Sequence, residues 1–345
     1  MCVKDTGTKY QLWISDFNID GTFTRVHPFI ISHTKTMTRT REDGKEEVFS
    51  ACIKPDDTRY LGGDKNSSID AIKLQGRPRT GISYDKANEF CANRGDWITM
   101  IDYLEYCALQ ALCYIEYANF NNQATLNTNL TSDGFKQGGL GAGVTNLDWD
   151  RWTAFNGNNP IVQTYWSAEH NIGNGSTNGD HYELGNYNTD GSNLNTYPAV
   201  YRGILNFFGD IWTFIRDVVI INKDKDYNYV YILKKGVNHA DVTKDNVNEK
   251  CYLIGCQANT NNFITEFDFR FGPYFVPNKV GTNKKFDYNF IRGNNGQDTD
   301  KSVRMLLLGG IAHHASSAGS GFFDSSWVRS GSNATVGFFT TVKLD

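Results

Sequence analysis

The chain has 345 residues, of which 39% are hydrophobic and 14% aromatic, so it can form a sizeable buried core. Its net charge is −4 at pH 7 and its lysines and arginines are scattered, which argues against nucleic-acid binding through a basic face. No apolar stretch reaches the roughly 20 residues that span a bilayer, the first residues lack the apolar segment of a signal peptide, and seven cysteines cannot all pair in disulfides. We therefore expect a protein made in the cytosol, with thiols in its core and no membrane insertion.

Residues 1–75 have the pattern of a β-rich N-terminal segment. Apolar and polar residues alternate in LWISDFNID, TFTRVHPFIISHTKTM and EEVFSACIK, around turns at Asp20-Gly21 and Asp43-Gly44. We interpret this segment as an attachment or docking segment, and residues 76–345 as a separate binding domain.

Two helices are predicted next. Ser83 can cap a helix that ends near Gly95. Thr99 and Asp102 resemble a capping box at the start of a second helix, which runs through Tyr117. Apolar residues recur along this second helix at helical spacing, namely Leu104, Ala108, Ala111, Leu112 and Ile115.

Long Asn- and Gly-rich loops fill residues 119–198, where only PIVQTYWSAEH indicates a strand. Asp148, Asp150 and Glu169 are candidates for the carboxylate pair of a glycosidase, which needs two such groups across a cleft. The oxygen-rich stretch NTDGSNLN at 188–195 is a candidate calcium loop or a set of Asx turns. Both alternatives stay open at this point.

Further strands follow the loops, in the segments DIWTFIRDVVIIN, YNYVYILKK, EKCYLIG, FITEFDFRFGPYF, SVRMLLLGGIA and ATVGFFTTVKL. Two helices followed by a mixed set of strands predict an α+β domain with long loop inserts.

Several of these segments resemble, in the same order, the bacterial and phage branch of the C-type lectin fold. CANRGDW followed by WITMIDYLEYCALQAL is similar to its paired helices, and YWSAE at 165–169 to its central strand. RMLLLGG at 304–310 and VGFFTTV at 336–342 are similar to its closing strands. The signature Asn-x-x-Gly-Asn-x-Trp is matched by Asn206, Gly209, Asp210 and Trp212, with Asp in place of the second Asn. The branch includes formylglycine-generating-type domains and the variable proteins of diversity-generating retroelements, and the resemblance implies a C-type lectin fold with mixed and antiparallel sheets over residues 76–345.

The four signature residues are expected to be structural. Gly209 permits a tight turn or a close backbone approach, and Trp212 can enter the core from a strand. Asn206 and Asp210 can satisfy loop amides.

The candidate binding segment is 311–330, IAHHASSAGSGFFDSSWVRS, which has no periodicity and combines aromatic with small polar residues, as binding loops do. In the diversified relatives this position carries the ligand-binding surface. The resemblance therefore implies that a ligand is contacted by His313, His314, Phe322, Phe323, Asp324, Trp327 and Arg329. The alternative is a solvated loop whose Phe322, Phe323 and Trp327 turn inward.

The function implied by the resemblance is non-enzymatic receptor binding. We expect a phage virion protein, the tip of a tail or capsid fibre, that recognises a bacterial surface receptor or glycan. It would be a homotrimer assembled in the host cytoplasm, joined to other virion proteins through residues 1–75, with no cofactor or metal.

Two other functions stay open. One is a purely structural virion decoration or adaptor protein. The other is an enzyme, either a polysaccharide depolymerase or a metal-dependent oxygenase of the same fold. The chain has no cysteine after Cys256, so it lacks the late cysteine pair of the formylglycine-generating enzymes, and His313-His314 is its one close histidine pair for iron.

Overall fold

The computed structural model describes residues 1–6, 9–18, 21–126, 162–165, 175–176, 198–222, 224–283, 287–291 and 303–344. The helices in these ranges are α1 (Tyr84–Arg94), α2 (Tyr103–Tyr117), α3 (Asn122–Leu126) and α4 (Val247–Lys250). Short 3-10 helices occupy Ala71–Leu74, His239–Asp241 and Ala312–Ser317.

The strands of the first half are β1 (Cys2–Asp5), β2 (Tyr10–Trp13), β3 (Thr22–Phe23), β4 (Phe29–Ile31), β5 (Met37–Thr40), β6 (Glu46–Phe49), β7 (Tyr60–Leu61), β8 (Gly63–Asp64), β9 (Arg79–Thr80), β10 (Ile82–Ser83), β11 (Ile98–Met100) and β12 (Gly175–Ser176). The strands that follow are β13 (Ala199–Tyr201), β14 (Ile204–Leu205), β15 (Trp212–Phe214), β16 (Val218–Asn222), β17 (Tyr227–Leu233), β18 (Cys251–Ala258), β19 (Asn262–Asp268), β20 (Val276–Gly281), β21 (Tyr288–Phe290), β22 (Met305–Gly309), β23 (Gly319–Trp327), β24 (Ser332–Asn333), β25 (Val336–Gly337) and β26 (Thr340–Lys343).

A seven-stranded sheet with the order β20-β19-β21-β23-β22-β15-β25 is the centre of the fold. Its pairs are antiparallel except β21 with β23 and β15 with β25, which are parallel. Smaller sheets surround it, including the antiparallel β16-β17-β18 and the three-stranded β11-β26-β4. The molecule is thus a set of sheets built around one large mixed sheet.

Both faces of this central sheet are buried, one under α1 and the other under α2. Side chains alternate along β22, so that Leu306 and Leu308 pack in the cluster that contains α2, whereas Met305 and Leu307 pack in the cluster that contains α1. A strand covered on both faces is apolar at successive positions, so its sequence does not alternate.

The predicted α+β class is wrong, because the protein is mainly β: 38% of the described residues are strand and 18% helix. The two predicted helices exist, but in the described part of the chain the other α-helices have no more than five residues. Many strands are only two to four residues long and lie in segments of mixed polarity, where periodicity gives no strand signal. Long-range sheet pairing, which sequence periodicity does not report, therefore determines the class.

The helix boundaries follow from local capping. Ser83 accepts a hydrogen bond from the Lys86 amide at the start of α1, and Gly95 ends the helix, as the sequence predicted. α2 ends at Tyr117 as predicted, but its capping box is formed by Asp102 and Glu105, three residues after the expected Thr99. Thr99 lies instead in β11, paired with Thr341. Tertiary pairing thus decided where this helix begins.

The N-terminal segment shares its hydrogen bonds with the rest of the chain. β4 pairs with β26 near the other end of the sequence, and the Leu205 amide donates to the carbonyl of His33 at 2.8 Å. Strands β1–β8 lie within residues 1–75, and the sheet β11-β26-β4 crosses the domain boundary expected at residue 75.

A buried carboxylate lies at the middle of the central sheet. Asp287, immediately before β21, accepts a hydrogen bond of 2.6 Å from the Gly321 amide of β23. Burial raises the pKa of Asp287 to about 7. A Cβ atom at Gly319 would lie 1.9 Å from the Asp287 Oδ1 atom, so glycine is required there by close approach.

Candidate functional site

Two neighbouring clefts meet at the turn that follows α1. The first, the α1 cleft, has a volume of about 650 Å³ and is lined by Tyr84, Asp85, Asn88, Glu89, Asp96, Ile98, Arg216, Asn238, His239 and Arg329, among others. The second, the Trp97 groove, has about 390 Å³ and is lined by Ser32, His33, Thr34, Thr36, Val48, Phe49, Ser50, Arg94, Trp97, Ile98 and Thr340. Ile98 lines both, so the turn at residues 94–98 is the ridge between them.

Trp97 stands on this ridge with 57% of its surface exposed. Its indole lies over Gly95, because a Cβ atom at Gly95 would be only 2.4 Å from the Trp97 Nε1 atom. Gly95 has a φ of +148°, a backbone conformation that favours glycine, and its amide donates to the Cys91 carbonyl at 3.2 Å. The contact with Gly95 therefore restricts the position of the exposed Trp97 ring in the absence of a ligand.

The floor of the α1 cleft contains an aromatic pair. The Tyr84 hydroxyl donates a hydrogen bond to the Arg216 carbonyl, and the Tyr84 and His239 ring centroids are 5.3 Å apart. Burial lowers the pKa of His239 to about 4, so the imidazole is neutral at physiological pH. Its Nε2 atom is buried and has no hydrogen-bond partner among the described residues.

The walls of the α1 cleft carry charges of both signs. Asp85 and Glu89 lie on the exposed face of α1, opposite Arg216 and Arg329. The Arg329 Nε atom is 3.4 Å from the Asp85 Oδ2 atom. Arg216 forms an ion pair with Asp102 at 3.3 Å, and this contact holds the guanidinium group in place. With the amides of two asparagines in the same lining, the cleft offers donors and acceptors to a polar, uncharged ligand.

The Trp97 groove is more apolar. Phe49 lies beneath two guanidinium groups, those of Arg39 at 5.1 Å and Arg94 at 6.0 Å from its ring centroid. Both arginines bind Glu47, which is buried. The Nε2 atom of His33 and the Oγ1 atom of Thr36 line this groove without a hydrogen-bond partner in the described part of the chain.

Most of the sequence-predicted binding segment lies in the interior. Instead of one irregular loop, the structure has the 3-10 helix Ala312–Ser317 and the nine-residue strand β23. Phe322 and Phe323 are buried on opposite faces of the central sheet. This is the inward orientation of the alternative interpretation of segment 311–330. Asp324 is also buried, which raises its pKa to about 6, and it accepts a hydrogen bond from the Ser326 amide. These three side chains pack in the core in this structure and do not face a ligand.

His314, Trp327 and Arg329 lie nearer the surface. His314 is half-buried against Trp212 and Phe322, and its Nδ1 atom accepts a hydrogen bond from the Ile311 amide. Trp327 is half-buried over Gly331, and His313 lies in the 3-10 helix. Arg329 lines the α1 cleft, so it is the one predicted residue that the two clefts take in.

The signature residues Asn206, Gly209, Asp210 and Trp212 lie together in the segment that leads into β15. Asn206 and Gly209 have φ values of +53° and +92°, and Asp210 is fully buried. Trp212 packs edge-on against Phe322 at 4.7 Å between ring centroids. Trp212 is buried in the core, whereas the Asn206 side chain has no hydrogen-bond partner among the described residues and so satisfies no described loop amide.

Several sequence-based candidates lie outside the described residues, namely Asp148, Asp150, Glu169, the strand residues 166–169 and the possible calcium loop at 188–195. In the ranges that the structure describes, no group of three or more His, Cys, Asp or Glu side chains could hold a metal ion. All seven cysteines are free thiols, six of them buried. No described helix is both long and apolar enough to cross a bilayer.

Sequence reasoning missed Trp97, His33, Thr36 and His239. CANRGDW places Trp97 directly after a polar helix end, and that was the available signal, because a tryptophan following a helix-ending glycine is not shielded by its own helix. The other three come together only through sheet pairing, so no local spacing reveals them.

No protein-family model and no curated protein matches this sequence. The basis for a function is therefore the geometry of the two clefts, together with the resemblance of the short motifs quoted above.

Proposed function

We propose that the protein binds a bacterial surface glycan, without chemistry, across the α1 cleft and the Trp97 groove. The observation that carries this proposal is the position of Trp97, exposed yet held over Gly95 between two clefts. An aromatic face is a favourable platform for the C–H face of a sugar ring, and its fixed position keeps the entropic cost of binding small.

The two clefts supply the polar contacts that a stacked sugar requires. On one side of Trp97 are the His239 imidazole, whose Nε2 atom has no hydrogen-bond partner among the described residues, and the paired charges Arg329 and Asp85. On the other side are the unpartnered His33 Nε2 and Thr36 Oγ1 atoms. Sugar hydroxyls both donate and accept, which suits such a mixed lining. A chain of several sugars that crosses the ridge would occupy both clefts.

The proposed setting is a phage virion, in which the protein forms the tip of a tail or capsid fibre. The support for this setting is the resemblance of the ordered motifs to virion receptor-binding proteins. Single open clefts of this kind bind weakly, and a homotrimer presented in many copies on a particle would raise the avidity by about 10²-fold or more. The part of residues 1–75 that lies outside the Trp97 groove would face the rest of the virion.

The test is binding of fluorescently labelled protein, clustered on beads for avidity, to an array of bacterial surface polysaccharides. We expect wild type to bind a subset of the glycans and Trp97→Ala to lose at least about tenfold in apparent affinity, since truncation of a tryptophan at the centre of a binding site commonly costs more than about 1 kcal/mol. Because Trp97 is exposed, the variant should keep the wild-type melting temperature.

Phe271→Ala is the matched control, since Phe271 is 45% exposed and lies outside both clefts. Equal binding by all three proteins would remove Trp97 from the site. No binding by any of them would overturn glycan recognition and favour the structural decoration role. Release of sugar fragments from the array would show that the protein is an enzyme.

A further inference from the structure

A lysine, an asparagine and an aspartate are buried together where the N-terminal segment meets the signature segment. Lys35 is 1% exposed and Asn206 2%, and the Lys35 Nζ atom donates a hydrogen bond of 2.9 Å to the backbone carbonyl of Asn206. Asp210 is fully buried and acts electrostatically on Lys35. The Lys35 ammonium also lies over the Phe339 ring, 4.7 Å from its centroid.

The second reacting group is the side-chain amide of Asn206. Neither its Nδ2 nor its Oδ1 atom has a hydrogen-bond partner among the described residues. A buried primary amide with both polar atoms unsatisfied is unfavourable, and so is a buried ammonium group. A reaction that replaces both groups with one secondary amide would remove two charged or polar donors from the interior.

We propose that Lys35 and Asn206 become joined by an amide bond between the Nζ and Cγ atoms, with release of ammonia and with Asp210 as the proton carrier. The Nζ atom attacks the Cγ carbonyl carbon, and the bond from Cγ to Nδ2 then breaks. The proton lost by Nζ passes through the Asp210 carboxylate to the departing nitrogen, which leaves as ammonia. Atoms and charges balance, and no oxidant, metal or other reactant is required.

Two features of the surroundings favour the attack. Burial lowers the pKa of Lys35 to about 7, although the Asp210 carboxylate opposes this shift, so a large fraction of the amine is neutral and nucleophilic at physiological pH. The backbone contact at 2.9 Å and the bond from the Leu205 amide to the His33 carbonyl hold the two segments side by side. Such intramolecular placement gives a high effective concentration of the amine.

The bond would fasten the N-terminal segment to the body of the protein. Lys35 and Asn206 are 171 positions apart in sequence, and Thr36, next to Lys35, donates from its amide to the Phe338 carbonyl at 3.0 Å. The cross-link would therefore resist separation of residues 1–75 from the rest of the chain under pulling forces, a property that does not depend on glycan binding.

The test is peptide mass spectrometry of the purified full chain after denaturation and trypsin digestion. We expect a branched peptide in which residues 26–39, uncleaved after Lys35, are attached to residues 203–216 with the mass of one ammonia missing. Recovery of residues 26–35 and 203–216 only as separate peptides of full mass would overturn the proposal. A branched peptide that lacks water instead would assign the bond to Asp210 and overturn the role of Asn206.

Two aspartate variants test the proton carrier. Asp210→Asn keeps the side-chain volume and should give the separate peptides, whereas Asp287→Asn, which alters another buried carboxylate, should still give the branched one. A branched peptide from Asp210→Asn that fragment ions show to be linked at Asn206 would overturn the role of Asp210. If Asp210→Asn fails to fold, the wild-type digestion still decides whether the bond forms.

Discussion

We expect single residues of the α1 cleft to matter more for the proposed glycan binding than for stability. Arg329 and Asp85 are both partly exposed, and their side-chain atoms approach to 3.4 Å. Exposed ion pairs contribute at most about 1 kcal/mol to folding, because water screens them. The same guanidinium, held at the wall of a cleft, can donate to a ligand in a more desolvated setting.

We therefore predict that Arg329→Gln weakens glycan binding by about tenfold and changes the free energy of unfolding by less than about 1 kcal/mol. Binding is measured on the glycan array and stability by urea unfolding. The matched control is Arg59→Gln, which removes another exposed pair, with Asp57 at 2.7 Å, outside both clefts. A similar loss of binding in both variants would show that net charge, and not the α1 cleft, determines affinity.

At the scale of elements, the central sheet depends on glycine at one crossing. β23 passes the Asp287 side chain so closely that a Cβ atom at Gly319 would overlap it. The carboxylate is itself held by the Gly321 amide, so it cannot move away without losing that hydrogen bond. A side chain added at Gly319 would therefore overpack the middle of the sheet.

Gly319→Ala is expected to lower the free energy of unfolding by about 3 kcal/mol or more, measured by urea unfolding. The control is Gly281→Ala at the end of β20 in the same sheet, where the nearest atom to an added Cβ is the Thr265 Cγ2 atom at 3.2 Å. That variant should lose less than about 1 kcal/mol. Equal losses would mean that strand propensity, not the contact with Asp287, determines the cost.

At the scale of the whole molecule, buried carboxylates make stability depend on pH. Burial raises the pKa of Asp217 and Asp287 to about 7 and that of Asp324 to about 6. Such groups ionise in the unfolded chain with an ordinary pKa near 3.8, but in the folded protein they stay protonated until the pH approaches their raised pKa values. Their contribution is therefore fully present below that value and is lost as pH rises through the folded pKa.

Asp287→Asn is expected to flatten the fall in stability between about pH 4 and about pH 7, because the amide does not ionise. The measurement is urea unfolding of wild type and variant at several pH values across that range. Asp43→Asn, at an exposed site, is the control and should follow the wild-type curve. Parallel curves for wild type and Asp287→Asn would contradict a protonated Asp287 in the folded state.

Much of the fold could be predicted where local chemistry decides the structure. The Ser83 cap, the Gly95 end of α1 and the end of α2 at Tyr117 all follow from adjacent residues. β23 could not be recognised, because a strand buried on both faces does not alternate and its sequence reads as an irregular loop. Of the candidate site, Arg329 was found from sequence.

Trp97 was not found from sequence for a related reason. Composition and spacing do not distinguish an exposed tryptophan from a buried one, since both occur beside polar turns. The mainly β character was missed because short strands form by pairing with strands far along the chain. Thr99 in β11, for example, pairs with Thr341 in β26.

The pairing of β26 with both β4 and β11 has a consequence for how the chain is made. The sheet joins residues 29–31, 98–100 and 340–343, so two of its strands are synthesised long before the strand that lies between them. During translation, the edges of β4 and β11 that pair with β26 stay unpaired until residues 340–343 have left the ribosome. Folding of this sheet can therefore be completed only after residues 340–343 have been made, and contacts of such high sequence separation make it slow.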